Sequence, residues 1–307
     1  MSEATAQATR KVELAPEDGH AWYELGRVLG PNEKVHVWSR EVDRRTCNVE
    51  AVRLDPSFSP AWNNLGGSLN GTEKVSIRGR LMDRRACILE ALRLNPSSPM
   101  AWSNLGITLR PGERLRAEGR EVDRRVCLLQ ALQLDPTLVT AWVNLGHALA
   151  AGERVRVGER EIDKRGCYLE AIRVDPSFPP GWNDLGFTLL PGESIEAAGR
   201  LVDRRSCFLV ALQLDASHTS AWSNLGTTLE AGATIQVLGR VVDKRACYVE
   251  ALRLDPCNSL AWRNLGGTLG PGETVRVGTR EVDLQACLVE AQRSRHDARI
   301  YPAAPAK

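Results

Sequence analysis

Cysteine stands at positions 47, 87, 127, 167, 207, 247 and 287, one every 40 residues. Thiols in a row could cross-link or bind a soft metal, but the spacing argues against both. Equivalent sulfurs in stacked units lie at least one helix-packing distance apart, roughly 8–10 Å, beyond the ~7 Å between Cα atoms that a disulfide can span. The row is expected to be small buried thiols in a reducing, cytoplasmic setting, with no metal and no cofactor. Cys257 is out of register and reads as a free surface thiol. The histidines at 20, 36, 147, 218 and 296 have no ligand spacing, and no HExxH, GxSxG, GxGxxG or phosphate-loop pattern occurs. No catalytic residue is assigned, and no enzyme is expected.

A second row offers hydrogen bonds instead of reactivity. Asn64, Asn104, Asn144, Asn224 and Asn264 share one position, which Asp184 occupies in the fifth copy. A side-chain amide carries both a carbonyl and an NH₂, so it can hold a peptide's N–H and C=O whatever the peptide's side chain. Rungs roughly 10 Å apart match about three residues of extended chain. The alternative is an Asn that secures a neighbouring loop or helix end. Asp184 could take a Lys or Arg of the ligand. Two nearby positions vary: Tyr23, Asn63, Ser103, Val143, Asn183, Ser223, Arg263, and Arg27, Gly67, Ile107, His147, Phe187, Thr227, Gly267. Among these, Ile107, Val143 and Phe187 could form an apolar anchor beside His147, which reads as exposed. The candidate site is thus the Asn/Asp row with Ile107, Val143, His147 and Phe187. The alternative is neutral drift on a solvated face.

Arginine recurs too, at 40, 80, 120, 160, 200, 240 and 280, with Arg/Lys pairs at 44–45 and each 40 residues on to 244–245. These could bind phosphates. Glu73- and Asp83-type residues recur in step, which favours an ion-paired face.

The elements that must position these rows follow from one unit, residues 57–96. Trp22, 62, 102, 142, 182, 222 and 262 set the period of 40, and seven such units account for most of the 307 residues. A fixed period of that size signals an array of stacked supersecondary units. Ala61, Trp62, Leu65 and Leu69 lie at helical spacing over 60–69, with Ser59 expected as N-cap before Pro60. A second helix is expected over 83–94, begun by Asp83 and bearing Cys87, Ile88, Ala91 and Leu94. Between them Val75, Ile77 and Met82 alternate around Arg78-Gly79, a short β-hairpin pattern that pairs 77 with 80 and 75 with 82. An irregular loop with apolar anchors is the alternative. The hairpins of successive units could pair into a ribbon or stay separate.

Composition excludes other classes. Lys+Arg 40 against Asp+Glu 38 leaves +2, which argues against a dedicated nucleic-acid binder. No apolar run approaches the roughly 18 residues of a membrane span, and the start, MSEATAQATRK, lacks the apolar core of a secretory signal.

Trp62, Leu65, Gly66, Leu69, Ala91 and Pro96, with their counterparts in the other units, resemble the tetratricopeptide repeat (TPR). That unit has about 34 residues, so this one is longer by six, all between the two helices. The resemblance implies a mainly α, right-handed α-solenoid of seven helix–hairpin–helix repeats with short β-hairpins along one edge. It divides the chain into an N-terminal tail and partial capping helix (1–16), seven repeats (17–293) and a disordered C-terminal tail (294–307). It departs at Arg84, where the family has a small residue, and Cys87 is expected to supply the small contact instead. The resemblance implies a non-catalytic protein-interaction scaffold that binds an extended peptide or partner helix along the first-helix, concave face, with the Asn row as its ladder. The residues before the first-helix Ala (Pro60, Met100, Thr140, Pro180, Ser220, Leu260) include no base, so a clamp for C-terminal carboxylates is not expected. RNA or acidic-ligand binding by the Arg rows and a purely structural spacer are the other readings.

Overall fold

The computed structural model describes residues 2–30 and 32–300, with side chains to 294. Its packing divides the chain into two compact units, 1–144 and 145–307. The first holds α1 (Glu3–Leu14), α2 (Gly19–Val28), β1 (Lys34–Val37), β2 (Arg40–Asp43), α3 (Arg44–Leu54), α4 (Ser59–Ser68), β3 (Lys74–Ile77), β4 (Arg80–Asp83), α5 (Arg84–Leu94), α6 (Pro99–Thr108), β5 (Arg114–Ala117), β6 (Arg120–Asp123) and α7 (Arg124–Leu134). Helix α8 (Val139–Ala148) carries the boundary. The second holds β7 (Arg154–Val157), β8 (Arg160–Asp163), α9 (Lys164–Val174), α10 (Pro179–Thr188), β9 (Ser194–Ala197), β10 (Arg200–Asp203), α11 (Arg204–Leu214), α12 (Thr219–Thr227), β11 (Thr234–Val237), β12 (Arg240–Asp243), α13 (Lys244–Leu254), α14 (Ser259–Gly266), β13 (Val275–Val277), β14 (Arg280–Val282) and α15 (Leu284–Ile300). Helix α15 takes in 294–300, which the sequence reading gives to a tail, and residues 301–307 lie outside the described residues.

Each repeat is thus helix, hairpin, helix. In the first unit α4 packs on α5 and α6 on α7, and α5 packs on α6; in the second α10 packs on α11, α11 on α12 and α12 on α13. First helices of successive repeats also touch, α4 with α6 and α10 with α12. The tryptophans explain the period. In every repeat the indole is buried and its Nε1–H donates to the carbonyl six residues earlier, as from Trp62 to Pro56 at 2.9 Å and from Trp182 to Pro176 at 2.8 Å. A buried N–H without a partner is costly, so this bond ties the aromatic anchor to the inter-repeat turn. The turn is set by Asp55, whose Oδ1 accepts from Ser57 N and Oγ, an arrangement repeated at Asp175 and Asp215.

The second helices start as expected. Asp83 is the N-cap of α5 and accepts from Ala86 N at 2.8 Å; Asp43, Asp123, Asp163, Asp203, Asp243 and Asp283 do the same. Ser59 does not cap α4. It is the helix's first residue, behind Phe58, and its hydroxyl donates to Ala91 O, pinning the start of α4 to α5. Side-chain caps of the first helices come one residue earlier, from Ser98, His218 and Asn258.

The alternation of the middle segment gives hairpins. Val75 faces Met82 and Ile77 faces Arg80 across a two-residue turn. Arg78 and Gly79 take φ of 50° and 79°, the left-handed pair that suits the twist of a tight hairpin, which is why glycine recurs there. Ile77 and Met82 turn to the interior. Strands β1–β2 through β13–β14 form separate two-stranded sheets, so no ribbon forms among the described residues. Strands β3, β9 and β11 lie instead on α3, α9 and α11, so these hairpins pack against the preceding repeat's second helix and not against another strand.

All seven registered cysteines are buried and unpaired, and burial pushes the thiols of Cys47, Cys87, Cys127, Cys167, Cys207 and Cys247 up to about 12. Cys257 is exposed. In the native protein one thiol, Cys257, is expected to react promptly with an aromatic disulfide reagent, and the rest only after unfolding. A second fast thiol would contradict this packing.

The first and last described helices differ from the others. Val52, Leu92, Leu132, Ile172, Leu212 and Leu252 are buried, whereas the equivalent residue of α15 is the exposed Gln292. At the other end α1 packs on α2 with Val12 fully buried. No helix among the described residues is long and apolar enough to cross a membrane.

Candidate functional site

The Asn row lies half-buried along the first helices. Asn104 Nδ2 donates to Asn63 Oδ1 on α4, and Asn224 Nδ2 to Asn183 Oδ1 on α10, each at 2.9 Å. Asn183 Nδ2 in turn donates to Asp184 Oδ1 at 3.0 Å. The internal bonds consume one donor of each amide and leave Asn104 and Asn224 their carbonyl and a second N–H.

The two variable positions separate. Ile107 is half-exposed and His147, Phe187 and Thr227 are exposed, as expected. The other position is interior in the five middle repeats, where Asn63, Ser103, Val143, Asn183 and Ser223 are buried, while Tyr23 is half-buried and Arg263 exposed. Val143 therefore packs inside the first unit and supplies no exposed anchor. Its row lies where successive first helices meet, so variation there reports local packing.

In the second unit three expected residues converge. A cleft of about 750 Å³ is lined by His147, Asp184 and Phe187 together with Ala151, Gly152, Asp163, Lys164, Arg165, Tyr168 and Thr188. Helix α10 supplies Asp184 and Phe187, and α9 forms the floor. His147 Nε2 lies 2.7 Å from Asp184 Oδ2. The Tyr168 ring meets His147 edge-on at 5.8 Å between centroids and lies against Gly146, where a Cβ would come within 2.5 Å of it. Burial, with Asp184 next, raises the Tyr168 pKa, so the phenol stays protonated. Asp163 is committed to capping α9, and Arg165 to Glu193 and Thr188 O. Lys164 has no carboxylate partner within ion-pair distance, so its ammonium is the cleft's unspent charge. The exposed Phe187 adds an apolar wall. Sequence reasoning placed Lys164 only among the Arg/Lys pairs and missed Tyr168. Tyr168 sits at the buried-stripe position that is Ile88, Leu128, Phe208 and Tyr248 elsewhere, so no sequence signal sets it apart.

The Arg rows are partly spent within the fold. Arg45, Arg85, Arg165 and Arg245 pair with Glu73, Glu113, Glu193 and Glu273 of the next repeat at 2.5–2.7 Å. Each glutamate also accepts a loop N–H, as Glu273 does from Gly270. Arg40, Arg160 and Arg280 pair with Glu50, Glu170 and Glu290.

These pairs fix an acid dependence. Hydrogen bonds from Arg85, Arg165 and Arg245 hold Glu113, Glu193 and Glu273 below the usual carboxylate range, Glu273 at about 2. Burial also lowers the pKa of His218, whose Nδ1 accepts from Ala221 N and caps α12 only when unprotonated. A depressed folded-state pKa contributes stability that is present above the unfolded value and is lost as pH falls through the folded one. Stability is therefore expected to fall first below about pH 6.5 from His218, and again below about 4.5 from the glutamates. Urea midpoints measured from pH 7 to pH 3 check this. His218→Asn, an N-cap like Asn258, is expected to remove the upper step, and an unchanged upper step would refute the assignment.

The helix pairs, the tryptophan–leucine–glycine first helix and the buried Ala of the second define a TPR-like helical-repeat protein, mainly α with short antiparallel strand pairs. No protein-family model matches the chain, and no curated protein matches it. Among solved structures it is similar to YrrB, described as a TPR protein with an unusual peptide-binding site, at 16% identity over 71% of this chain and 97% of that one, TM-score 0.35. It is also similar to yeast Tom70, at 13% identity over 96% of this chain and 59% of that one, TM-score 0.44. The chain thus spans a little under two thirds of Tom70. The assignment of class rests on the repeats themselves.

Proposed function

We propose that this chain is a non-catalytic protein-interaction scaffold, and that the cleft of the second unit seats part of an extended peptide or a partner helix. The observation that carries the reading is the convergence of an apolar wall, Phe187, an uncommitted ammonium, Lys164, and the His147–Asp184 pair in one cleft of about 750 Å³. Apolar and charged groups converging on one concavity are the usual make-up of a recognition site. Phe187 would pack on an apolar side chain and Lys164 would meet a carboxylate of the ligand. The free carbonyls of Asn104 and Asn224 would accept main-chain N–H groups in their respective units. Asp184 is already bonded to His147 and Asn183, so holding a ligand Lys or Arg would require displacing His147. The buried thiols fit a reducing compartment such as the cytoplasm. RNA binding by the Arg rows has less to draw on, because Arg45, Arg85, Arg165 and Arg245 already pair with carboxylates.

The test is an affinity capture that compares wild type with Asn104→Ala/Asn144→Ala and, separately, Phe187→Ala/Lys164→Glu. All these sites are at least partly exposed, so folding is expected to survive. Loss of one defined set of proteins from the Phe187→Ala/Lys164→Glu capture supports the cleft, and loss from the Asn capture supports the ladder. An unchanged set in both makes the chain a spacer.

A further inference from the structure

The first residue of the second helix is a cation in six repeats, Arg44, Arg84, Arg124, Lys164, Arg204 and Lys244, and Leu284 holds the place in α15. A positive charge on the first turn opposes the helix dipole, so helix formation does not account for the row. Ion pairing does not account for it either. The next residue along meets a carboxylate of the following repeat at Arg45, Arg85, Arg165 and Arg245, but among the described residues none of the six has a carboxylate within ion-pair distance. The cap aspartates just before them accept backbone N–H groups. In the first unit Arg44 Nε donates to Gly26 O, and burial alone acts on the Arg84 pKa, lowering it, with no carboxylate to raise it.

In the second unit the row has a defined place. Each cation stands one helical turn before a ring that packs on a first-helix glycine: Tyr168 on Gly146, Phe208 on Gly186 and Tyr248 on Gly226. The residues that follow those glycines are the exposed His147, Phe187 and Thr227. Lys164 lines the cleft with His147 and Phe187. The Arg204 guanidinium lies 6.0 Å from the centroid of the Phe208 ring, and Arg204 O would be 3.1 Å from a Cβ on Gly186. Its Nε is buried with no acceptor, and its two terminal nitrogens reach solvent without one. Helices α10, α12 and α14 offer one carboxylate among them, Asp184, which is already bonded to His147 and Asn183.

We infer that the first-helix face of the second unit receives an extended acidic segment whose carboxylates, about three residues apart, meet Lys164, Arg204 and Lys244 in turn. The inference rests on the reading of the cleft as a recognition site and supplies the ligand's chemistry and reach. Charge complementarity selects the occupant, because a half-buried guanidinium or ammonium with no internal partner is matched best by an external carboxylate. Helix α10 touches α12, so successive cations lie roughly one helix-packing distance apart, about 8–10 Å, which an extended chain covers in about three residues. A single-stranded nucleic acid is the weaker match, since Phe187 is the one exposed ring on α10, α12 and α14 for its bases to stack on.

The probes are fluorescein-labelled peptides of about a dozen residues with Glu at every third position among Ser and Ala, and isomers with the same glutamates clustered at one end. Each is titrated with the full chain by fluorescence anisotropy. Lys164→Gln, Arg204→Gln and Lys244→Gln remove one charge each, and Leu284 shows that the position accepts an uncharged side chain. Each variant is expected to weaken binding of the spaced peptide by on the order of tenfold, the loss of one charge-assisted bond, while its urea midpoint stays that of wild type. Arg204→Lys keeps the charge and is expected to bind as wild type does, as is Arg160→Gln on the hairpin. The clustered isomer is expected to bind less tightly. The inference is overturned if no spaced acidic peptide binds, if Arg204→Gln and Lys244→Gln bind as wild type does, if the clustered isomer binds equally well, or if a labelled oligouridylate binds more tightly than the peptide and loses affinity in the same variants. Partners lost from the Phe187→Ala/Lys164→Glu capture but kept by Arg204→Gln/Lys244→Gln would leave the cleft standing and overturn the row alone.

Discussion

Replacing Trp182 by alanine is expected to lower the stability of the second unit by about 3–5 kcal/mol. The side chain is fully buried, so the substitution removes a large apolar surface and leaves a cavity between the helices of its repeat. Two further losses add to it. The carbonyl of Pro176 loses its indole donor, and Arg200, which has no carboxylate, loses the ring beneath it. Trp182→Phe separates these contributions, because the ring face survives while the N–H does not; its cost is expected to be about 1–2 kcal/mol. Phe187→Ala, five residues along the same helix but 66% exposed, is expected to stay within about 0.5 kcal/mol of wild type. Urea denaturation gives the energies, and hydrogen exchange in α10 and α11 locates the loss. A Trp182→Ala protein within 1 kcal/mol of wild type would mean that the tryptophan row is not the anchor of these repeats.

The tryptophan row also shows why so much of the fold was legible. A buried indole needs a donor partner, a turn carbonyl six residues earlier supplies it, and Asp-Pro-Ser fixes that turn. Each requirement is local, so it is written again in nearly every copy. The hairpins were legible for the same reason: period-two alternation and a two-residue turn determine register without reference to the rest of the chain. The question of a ribbon was not local. It depended on how a hairpin lies on the preceding repeat's second helix, and no residue pattern within one repeat encodes that.

The candidate site divides along the same line. Phe187, His147 and Asp184 could be named because they interrupt a repeating pattern, yet their convergence in one cleft needed α10 stacked in the second unit. His147 and Asp184 are 37 residues apart and no spacing rule connects them. Val143 and its row were misread because variation between repeats was equated with exposure. Where two first helices meet, the contacts are made pairwise, so Asn63 and Ser103 can differ without either facing solvent. Tyr168 was hidden by the opposite error, since its position is buried core as Ile88, Leu128, Phe208 and Tyr248 elsewhere and only at Tyr168 also lines a cleft.

Neighbouring glycines supply the second large effect, with opposite signs. Gly66 and Gly67 are consecutive in α4. A Cβ on Gly66 would lie 2.7 Å from Ile88 Cγ1, 3.0 Å from Arg84 O and 3.4 Å from Cys87 Cβ, whereas one on Gly67 meets nothing within 4 Å. Arg84 O belongs to the backbone of α5, so relief requires α4 and α5 to move apart, and Cys87 marks the same close approach as the small residue that the sequence led us to expect there. Gly66→Ala is expected to cost about 1–3 kcal/mol, and Gly66→Val more, because overpacking outweighs the gain of replacing a helical glycine. Gly67→Ala keeps only the gain and is expected to stabilise by about 0.5–1 kcal/mol. Denaturant midpoints of the two alanine variants, measured side by side, decide the matter. If both substitutions stabilise, helices α4 and α5 are not in the contact described, and the close helix pairing that the glycine row is taken to report would have to be abandoned.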